Sequence, residues 1–140
     1  MGAGLYLHVP FCRRKCPYCN FYSVPAQPEL LTAYAAAVCR NLRHYGNAAQ
    51  PERVDTVYFG GGTPSLLLPA QIAQILETAA EQFALSADAE ITLEANPATV
   101  TPEQLRELRH AGINRLSLGV QSLSDAQLKR LGRLHTAQEA

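Results

Sequence analysis

Three cysteines fall within eight residues, in Cys12-Arg13-Arg14-Lys15-Cys16-Pro17-Tyr18-Cys19, a CxxxCxxC spacing. Thiols this close can share one metal group. A structural zinc site normally wants four closed ligands, which here would draw on His8 or His44. Three thiolates also suit a cubane [4Fe–4S] cluster that keeps one iron free of protein, unlike the four-cysteine clusters of electron transfer. The free iron can then hold a small molecule by its amine and carboxylate. Three unligated thiols are the remaining reading. Arg13, Arg14 and Lys15 either offset cluster charge or form a solvated face of the loop. The fourth cysteine, Cys39, follows Ala35-Ala36-Ala37-Val38 and reads as a small core residue on a helix.

Other residues able to bind or react sit at separate points along the chain. Gly60-Gly61-Gly62 lets backbone approach a ligand closely and offers it peptide groups, although a glycine run is often only a tight connection. Glu94 lies in an otherwise apolar strand pattern, where a carboxylate needs a partner: a ligand or an arginine. Gln121 can both donate and accept. Tyr6 and His8, two residues apart, share one face of a strand.

The elements that must position these residues alternate between strand and helix. Leu5 to Val9 reads as a strand ended by Pro10, and Glu29 to about His44 as a helix entered at Pro28. Val54 to Phe59 is rich in β-branched and aromatic residues and is broken by the glycine run; Pro69 to Phe83 follows as a helix. Glu90 to Ala95 is the third strand. Thr101-Pro102-Glu103-Gln104 opens a helix with a capping box, closed by Gly112. Arg115 to Val120 is the fourth strand, and Ser124-Asp125-Ala126-Gln127 repeats the capping pattern before a helix ending at Gly132. Residues 24–28 and Asn47 to Pro51 read as loops.

This alternation predicts an α/β fold with four parallel βα units. Four units leave a partial (β/α) barrel with an open edge. The cysteines, the glycine run, Glu94 and Gln121 each follow or end a different strand, which puts all of them at the C-terminal face of the sheet, where ligands bind.

Twelve basic and twelve acidic residues cancel, so no overall field favours nucleic acid. No apolar run approaches the ~20 residues that span a bilayer, so any membrane contact is peripheral. The N-terminus has neither a basic n-region nor an apolar h-region, and a cytoplasmic location is expected. In that reducing setting clustered cysteines read as a metal site rather than disulfides. The sequence stops shortly after a helical pattern, without a closing element, as a fragment would.

The motifs together resemble the radical S-adenosylmethionine superfamily. Leu5-Tyr6-Leu7-His8-Val9-Pro10-Phe11-Cys12, Gly60-Gly61-Gly62-Thr63-Pro64-Ser65, Leu93-Glu94-Ala95-Asn96-Pro97 and Leu118-Gly119-Val120-Gln121-Ser122 are similar, in order, to the branch of oxygen-independent coproporphyrinogen III oxidases and radical-SAM haem chaperones. The resemblance implies a [4Fe–4S] cluster on Cys12, Cys16 and Cys19 that reductively cleaves S-adenosylmethionine to a 5′-deoxyadenosyl radical. It implies cofactor contacts from Tyr6, Tyr18, Gly61, Gly62, Thr63, Glu94, Gln121 and Arg133. On bare residue type, Arg133 would instead serve a helix dipole. The resemblance also implies that residues 1–140 are the N-terminal part of a radical-SAM core domain. The rest of the barrel and a C-terminal domain would lie beyond, leaving this piece with an exposed apolar sheet edge and inactive.

The oxidase branch carries a further cysteine where this chain has Phe21, and Asn20-Phe21-Tyr22-Ser23 is similar to the chaperone branch. The reading is therefore a haem carrier that binds haem or porphyrin, delivers haem to apo-haemoproteins and receives electrons from a flavodoxin or ferredoxin. The alternatives are oxidative decarboxylation of coproporphyrinogen III to protoporphyrinogen IX and a zinc-stabilised structural module. As haem ligands, His8, His44, His110 and His135 are all candidates, each also suited to a core or surface role.

Overall fold

The structure, a computed structural model, describes residues 2–48 and 53–140. In chain order its elements are β1 (Ala3–Val9), β2 (Phe11–Cys12), β3 (Val24–Pro25), α1 (Pro28–Ala48), β4 (Arg53–Gly61), α2 (Pro69–Gln82), β5 (Ala84–Ala95), α3 (Pro102–His110), β6 (Arg115–Leu118) and α4 (Asp125–Arg130). Four strands form one parallel sheet in the order β1–β4–β5–β6, and β2 pairs with β3 separately. Each new strand is added beside the last and the order never reverses, as in a barrel wall and unlike a doubly wound sheet.

Residues level with one another in neighbouring strands point to the same side. Leu7, Phe59, Leu93 and Leu116 form one such row, next to Leu5, Val57 and Ile91. On this side Val57, Phe59 and Leu93 are fully buried, packed with Ala35, Cys39 and Leu42 of α1 and Ile72, Ile75 and Ala79 of α2. Burial of each large side chain contributes about 1.5–3 kcal/mol. The opposite side carries Tyr6, Tyr58, Thr92 and Arg115 in one row, His8 with Gly60 and Glu94 with Ser117 in the next. Polar and aromatic groups thus line the side away from the helices, where the interior of a barrel would be.

Several boundaries differ from the sequence reading. β4 runs on through Gly60 and Gly61, because the glycines keep parallel pairing with His8 and Val9. β5 begins at Ala84 rather than Glu90, with a register shift between Val54 and Thr56 accommodating its early residues. β6 stops at Leu118, two residues short of Val120. Val24–Pro25, expected as loop, is a short strand. α1 continues through Ala48 into the segment read as a loop; positions 49–51 of that segment lie outside the described residues.

The two capping boxes also part company. At α3 the Thr101 hydroxyl accepts from the Gln104 N–H at 3.2 Å and the Gln104 side chain accepts from the Thr101 N–H at 3.0 Å. At α4 the Ser124 side chain caps nothing, and the Ser122 hydroxyl intervenes, accepting from the Ser124 N–H and donating to the Gln127 carboxamide oxygen. Gly112 and Gly132, at φ +114° and +72°, close α3 and α4 in the left-handed conformation. Urea denaturation should show Thr101→Ala costing about 1 kcal/mol, the usual loss for a cap, and Ser124→Ala almost nothing.

Candidate functional site

The cysteine loop is pinned at its base. The Val24 N–H donates to the Pro10 carbonyl at 2.7 Å and the Ala26 N–H to the Cys12 carbonyl at 3.0 Å, so β2 and β3 hold the two ends of residues 13–23 together. His8 holds the middle. Its Nε2 lies 3.2 Å from the Tyr22 carbonyl oxygen and its Nδ1 3.1 Å from the Tyr6 hydroxyl. A carbonyl only accepts, so Nε2 carries the proton and the Tyr6 hydroxyl donates to Nδ1. Both ring nitrogens are thereby engaged, and His8 has none to give to a metal. The Tyr34 hydroxyl donates to the His8 carbonyl at 2.6 Å, and burial pushes this phenol up to about 12.

The glycine turn sits directly beneath. Gly61 has φ +113°, and a Cβ placed on it would lie 2.7 Å from the His8 ring; one on Gly62 would lie 2.6 Å from the Phe11 carbonyl oxygen. The N–H groups of Gly61, Gly62 and Thr63 donate to Glu94 Oε2, the Val9 carbonyl and the Phe11 carbonyl. What the turn can still offer a ligand is carbonyl oxygen, which suits an ammonium group. Among the described residues Glu94 has no arginine partner: its Oε1 accepts from the Tyr58 hydroxyl at 2.7 Å, a bond that holds the phenol in its protonated form, raised above its usual range. The arginine ion pair on this sheet face belongs to Glu90 and Arg115 instead, at 3.4 Å.

Arg133 lies just past α4, yet it does not cap a helix. Its guanidinium donates to Cys16 Sγ at 3.5 Å, to the Gly119 carbonyl at 2.6 Å and to Asn96 Oδ1. The Asn96 amide donates to Thr63 Oγ1 at 3.2 Å, and the Thr63 hydroxyl to Cys12 Sγ at 3.6 Å. Arg133 Nε is buried without a partner in the protein, a donor that an acceptor on a ligand would satisfy.

These groups surround an open cleft of about 400 Å³ lined by Cys12, Cys16, Cys19, Gly61, Glu94 and Gln121, with Tyr18, Gly62, Thr63 and Arg133 also on its wall. Among the described residues no three His, Cys, Asp or Glu side chains already converge on one point; the three half-buried thiols share the wall of this cleft. Donors from Thr63 and Arg133 directed at two of the sulfurs fit an anionic thiolate-held group. Gln121 is the non-glycine residue with positive φ among those described, at +71°, a strained conformation of the kind that collects at ligand sites. It stands three residues past the end of β6 rather than directly after it. Tyr18 is half exposed and its phenol is raised by burial and by a hydrogen bond with Cys16, against the opposing pull of Arg133.

Tyr6 stands apart, outside the cleft wall and stacked on Tyr58 with ring centroids 6.1 Å apart. Thr63 is buried and turned to Cys12 rather than free for a ligand. His44 lies one turn before the end of α1 and His110 in the last turn of α3, both toward the opposite end of the sheet, and His135 is buried with Nε2 3.1 Å from the Val120 carbonyl. The sequence reading missed Tyr58, Asn96 and Ser117. Tyr58 and Ser117 could have been found from strand alternation, since they fall level with Tyr6 and Glu94. Asn96 entered the sequence reading only as part of the Leu93-Glu94-Ala95-Asn96-Pro97 motif, with no role of its own.

Residues 6–140 match the family described as Radical SAM superfamily. The chain is 44% identical over 138 residues to the heme chaperone HemW of Escherichia coli (strain K12), covering 98% of this chain and 36% of that protein. It is 45% identical over 139 residues to the mitochondrial Radical S-adenosyl methionine domain-containing protein 1 of Mus musculus, covering 99% and 31%. Among solved structures, coproporphyrinogen III oxidase (HemN) from Escherichia coli, a Radical SAM enzyme, superposes with a TM-score of 0.88 at 31% identity, over 97% of this chain and 32% of that one. The chain spans about a third of the length of the proteins it matches.

The contact between Gly61 and His8 yields a test. Gly61→Ala should destabilise the fold by about 1–3 kcal/mol, the usual cost of a non-glycine residue in such a conformation. His8→Ala, which gives up the bonds to Tyr6 and Tyr22 but also the ring contact, should lower the thermal midpoint less in Gly61→Ala than in the parent, while the backbone cost at φ +113° persists.

Proposed function

This chain belongs to the Radical SAM superfamily, and on that premise we propose that it is the cofactor-holding part of a haem chaperone. Cys12, Cys16 and Cys19 hold a [4Fe–4S] cluster. S-adenosylmethionine occupies the cleft, its methionine amino group received by the Gly61–Gly62 turn and Glu94, with Gln121, Arg133, Tyr18 and, from the sheet face, Tyr6 completing the surroundings. Thr63 serves from behind, through Cys12. When bound, the cluster and S-adenosylmethionine together supply one-electron reductive chemistry. The protein's own part is to fix the cysteine loop at β2–β3 and at His8, and to keep Glu94 oriented between Tyr58 and Gly61.

The observation that carries the chaperone reading is Phe21, standing where oxidase-branch sequences have a further cysteine. Phe21 and Tyr22 are 63% and 72% exposed beside the cysteine loop, an aromatic surface that a planar haem can cover. The higher identity to the heme chaperone than to coproporphyrinogen III oxidase supports the same choice. The receiving partners are apo-haemoproteins, and a flavodoxin or ferredoxin supplies electrons. Oxidation of coproporphyrinogen III is the second reading, favoured by the 0.88 TM-score to that enzyme. No helix among the described residues is long and apolar enough to cross a membrane.

The complete protein, reconstituted anaerobically with iron and sulfide, should show the absorbance and reduced-state EPR signal of a [4Fe–4S] cluster. Cys16→Ala should abolish both, and Cys39→Ala should keep them, since Cys39 is buried in the helix-covered core. Haem-loaded protein should pass haem to an apo-haemoprotein, followed by the Soret band. Protoporphyrinogen formed from coproporphyrinogen III with dithionite and S-adenosylmethionine would overturn the chaperone reading in favour of the oxidase.

A further inference from the structure

Two of the three cysteine sulfurs are joined through the protein by a continuous run of side-chain hydrogen bonds: Cys12, Thr63, Asn96, Arg133, Cys16. The direction of every proton in it follows from one fact. A guanidinium has five donors and no acceptor, so the Asn96 atom facing Arg133 must be Oδ1. The Asn96 amide nitrogen is then turned to Thr63, whose oxygen must accept. That leaves the Thr63 hydroxyl hydrogen for its remaining neighbour, Cys12 Sγ. Arg133 meanwhile points Nη1 at Cys16. Both ends of the run therefore donate to sulfur, and neither could reverse without placing donor against donor at Asn96.

The residues of this run are themselves tied to the main chain. Thr63 is 3% exposed, and its backbone N–H is tied to the Phe11 carbonyl at 2.7 Å. The Asn96 backbone is fixed in turn: its N–H donates to Thr99 Oγ1 at 3.3 Å and its carbonyl accepts from the Thr99 hydroxyl at 2.8 Å. The amide plane of Asn96 is thus held from both its main chain and its side chain.

We propose that Asn96 is a positioning residue for the cluster: by orienting Thr63 and Arg133 it directs hydrogen bonds at Cys12 and Cys16 and so raises the cluster's reduction potential. Hydrogen bonds to ligand sulfur are a principal control of iron–sulfur potentials, because a donor stabilises the reduced, more negative state more than the oxidised one. Charge-assisted bonds of this kind are about twice as strong as neutral ones. Cys19 receives no such bond from these side chains, so the effect acts on the Cys12 and Cys16 side of the cluster. The inference rests on the cluster assigned above, and not on whether the protein carries haem or oxidises a porphyrin.

The test is an EPR-monitored redox titration of the anaerobically reconstituted complete protein without S-adenosylmethionine. Thr63→Val removes the hydroxyl and keeps the shape; its midpoint should fall by about tenfold in the reduction equilibrium, which is ~59 mV for a one-electron couple. Thr63→Ser keeps the hydroxyl and should hold the parent value. Asn96→Ala, which touches no sulfur, should lower the midpoint at least as far, and Thr63→Val added to it should bring little more. An unchanged midpoint in Asn96→Ala at full iron content overturns the proposal, whether or not Thr63→Val loads iron; so do strictly additive shifts. A parent protein that forms no cluster would defeat the cluster assignment itself, a result distinct from a cluster whose potential ignores Asn96.

Discussion

Parallel strands cannot be joined by tight turns, and that constraint arranges everything else in this molecule. Each strand of the main sheet must be followed by a return passage, and the helices α1, α2 and α3 provide it on one side. That side is accordingly apolar, from Leu5 and Leu7 across to Leu93 and Leu116. Every strand leaves the sheet at the same end, so the cysteine loop, the glycine turn, Glu94 and the Gln121 segment meet although they are far apart in sequence. The side away from the helices is free to carry Tyr6, His8, Tyr58 and Glu94.

At the common end, the loop bearing the cysteines is gripped from two directions. From the sheet, His8 reaches the Tyr22 carbonyl while its ring rests on Gly61. From the end of the chain, Arg133 reaches Cys16 and the Gly119 carbonyl together. The requirement for glycine at position 61 is thus set twice, by its backbone at φ +113° and by His8, because any side chain there would occupy the space the imidazole needs. The open edge beside β6 is less apolar than its strand pattern implied, since Arg115 and Ser117 alternate with Leu116 and Leu118 along it.

Much of this was legible in the sequence because it is locally encoded. The βα alternation, the cap at Thr101 and the left-handed turns at Gly112 and Gly132 depend on residues within a turn or two of each other. The CxxxCxxC spacing is likewise a local statement, and four motifs on four strand ends follow once the strands are read as parallel. The remainder depends on partners brought together by the fold. Ser124 has the residue pattern of a cap, but Ser122 lies nearer and takes the bond. His8 has the chemistry of a zinc ligand, but Tyr6 and Tyr22 engage both its nitrogens. Arg133 has the position of a helix-end cation, but its partners are 14 to 117 residues away. No window along the chain contains that information.

The span between Cys16 and Arg133 has a consequence in time as well as in space. Chains are made from the N-terminus at roughly 5–20 residues per second, so the 117 positions separating these partners correspond to about 6–23 s of synthesis. Throughout that interval the cysteine loop exists without the guanidinium that later reaches Cys16. The order of synthesis therefore brings out the three thiols well before the residue that reaches Cys16 from the far end of the pocket.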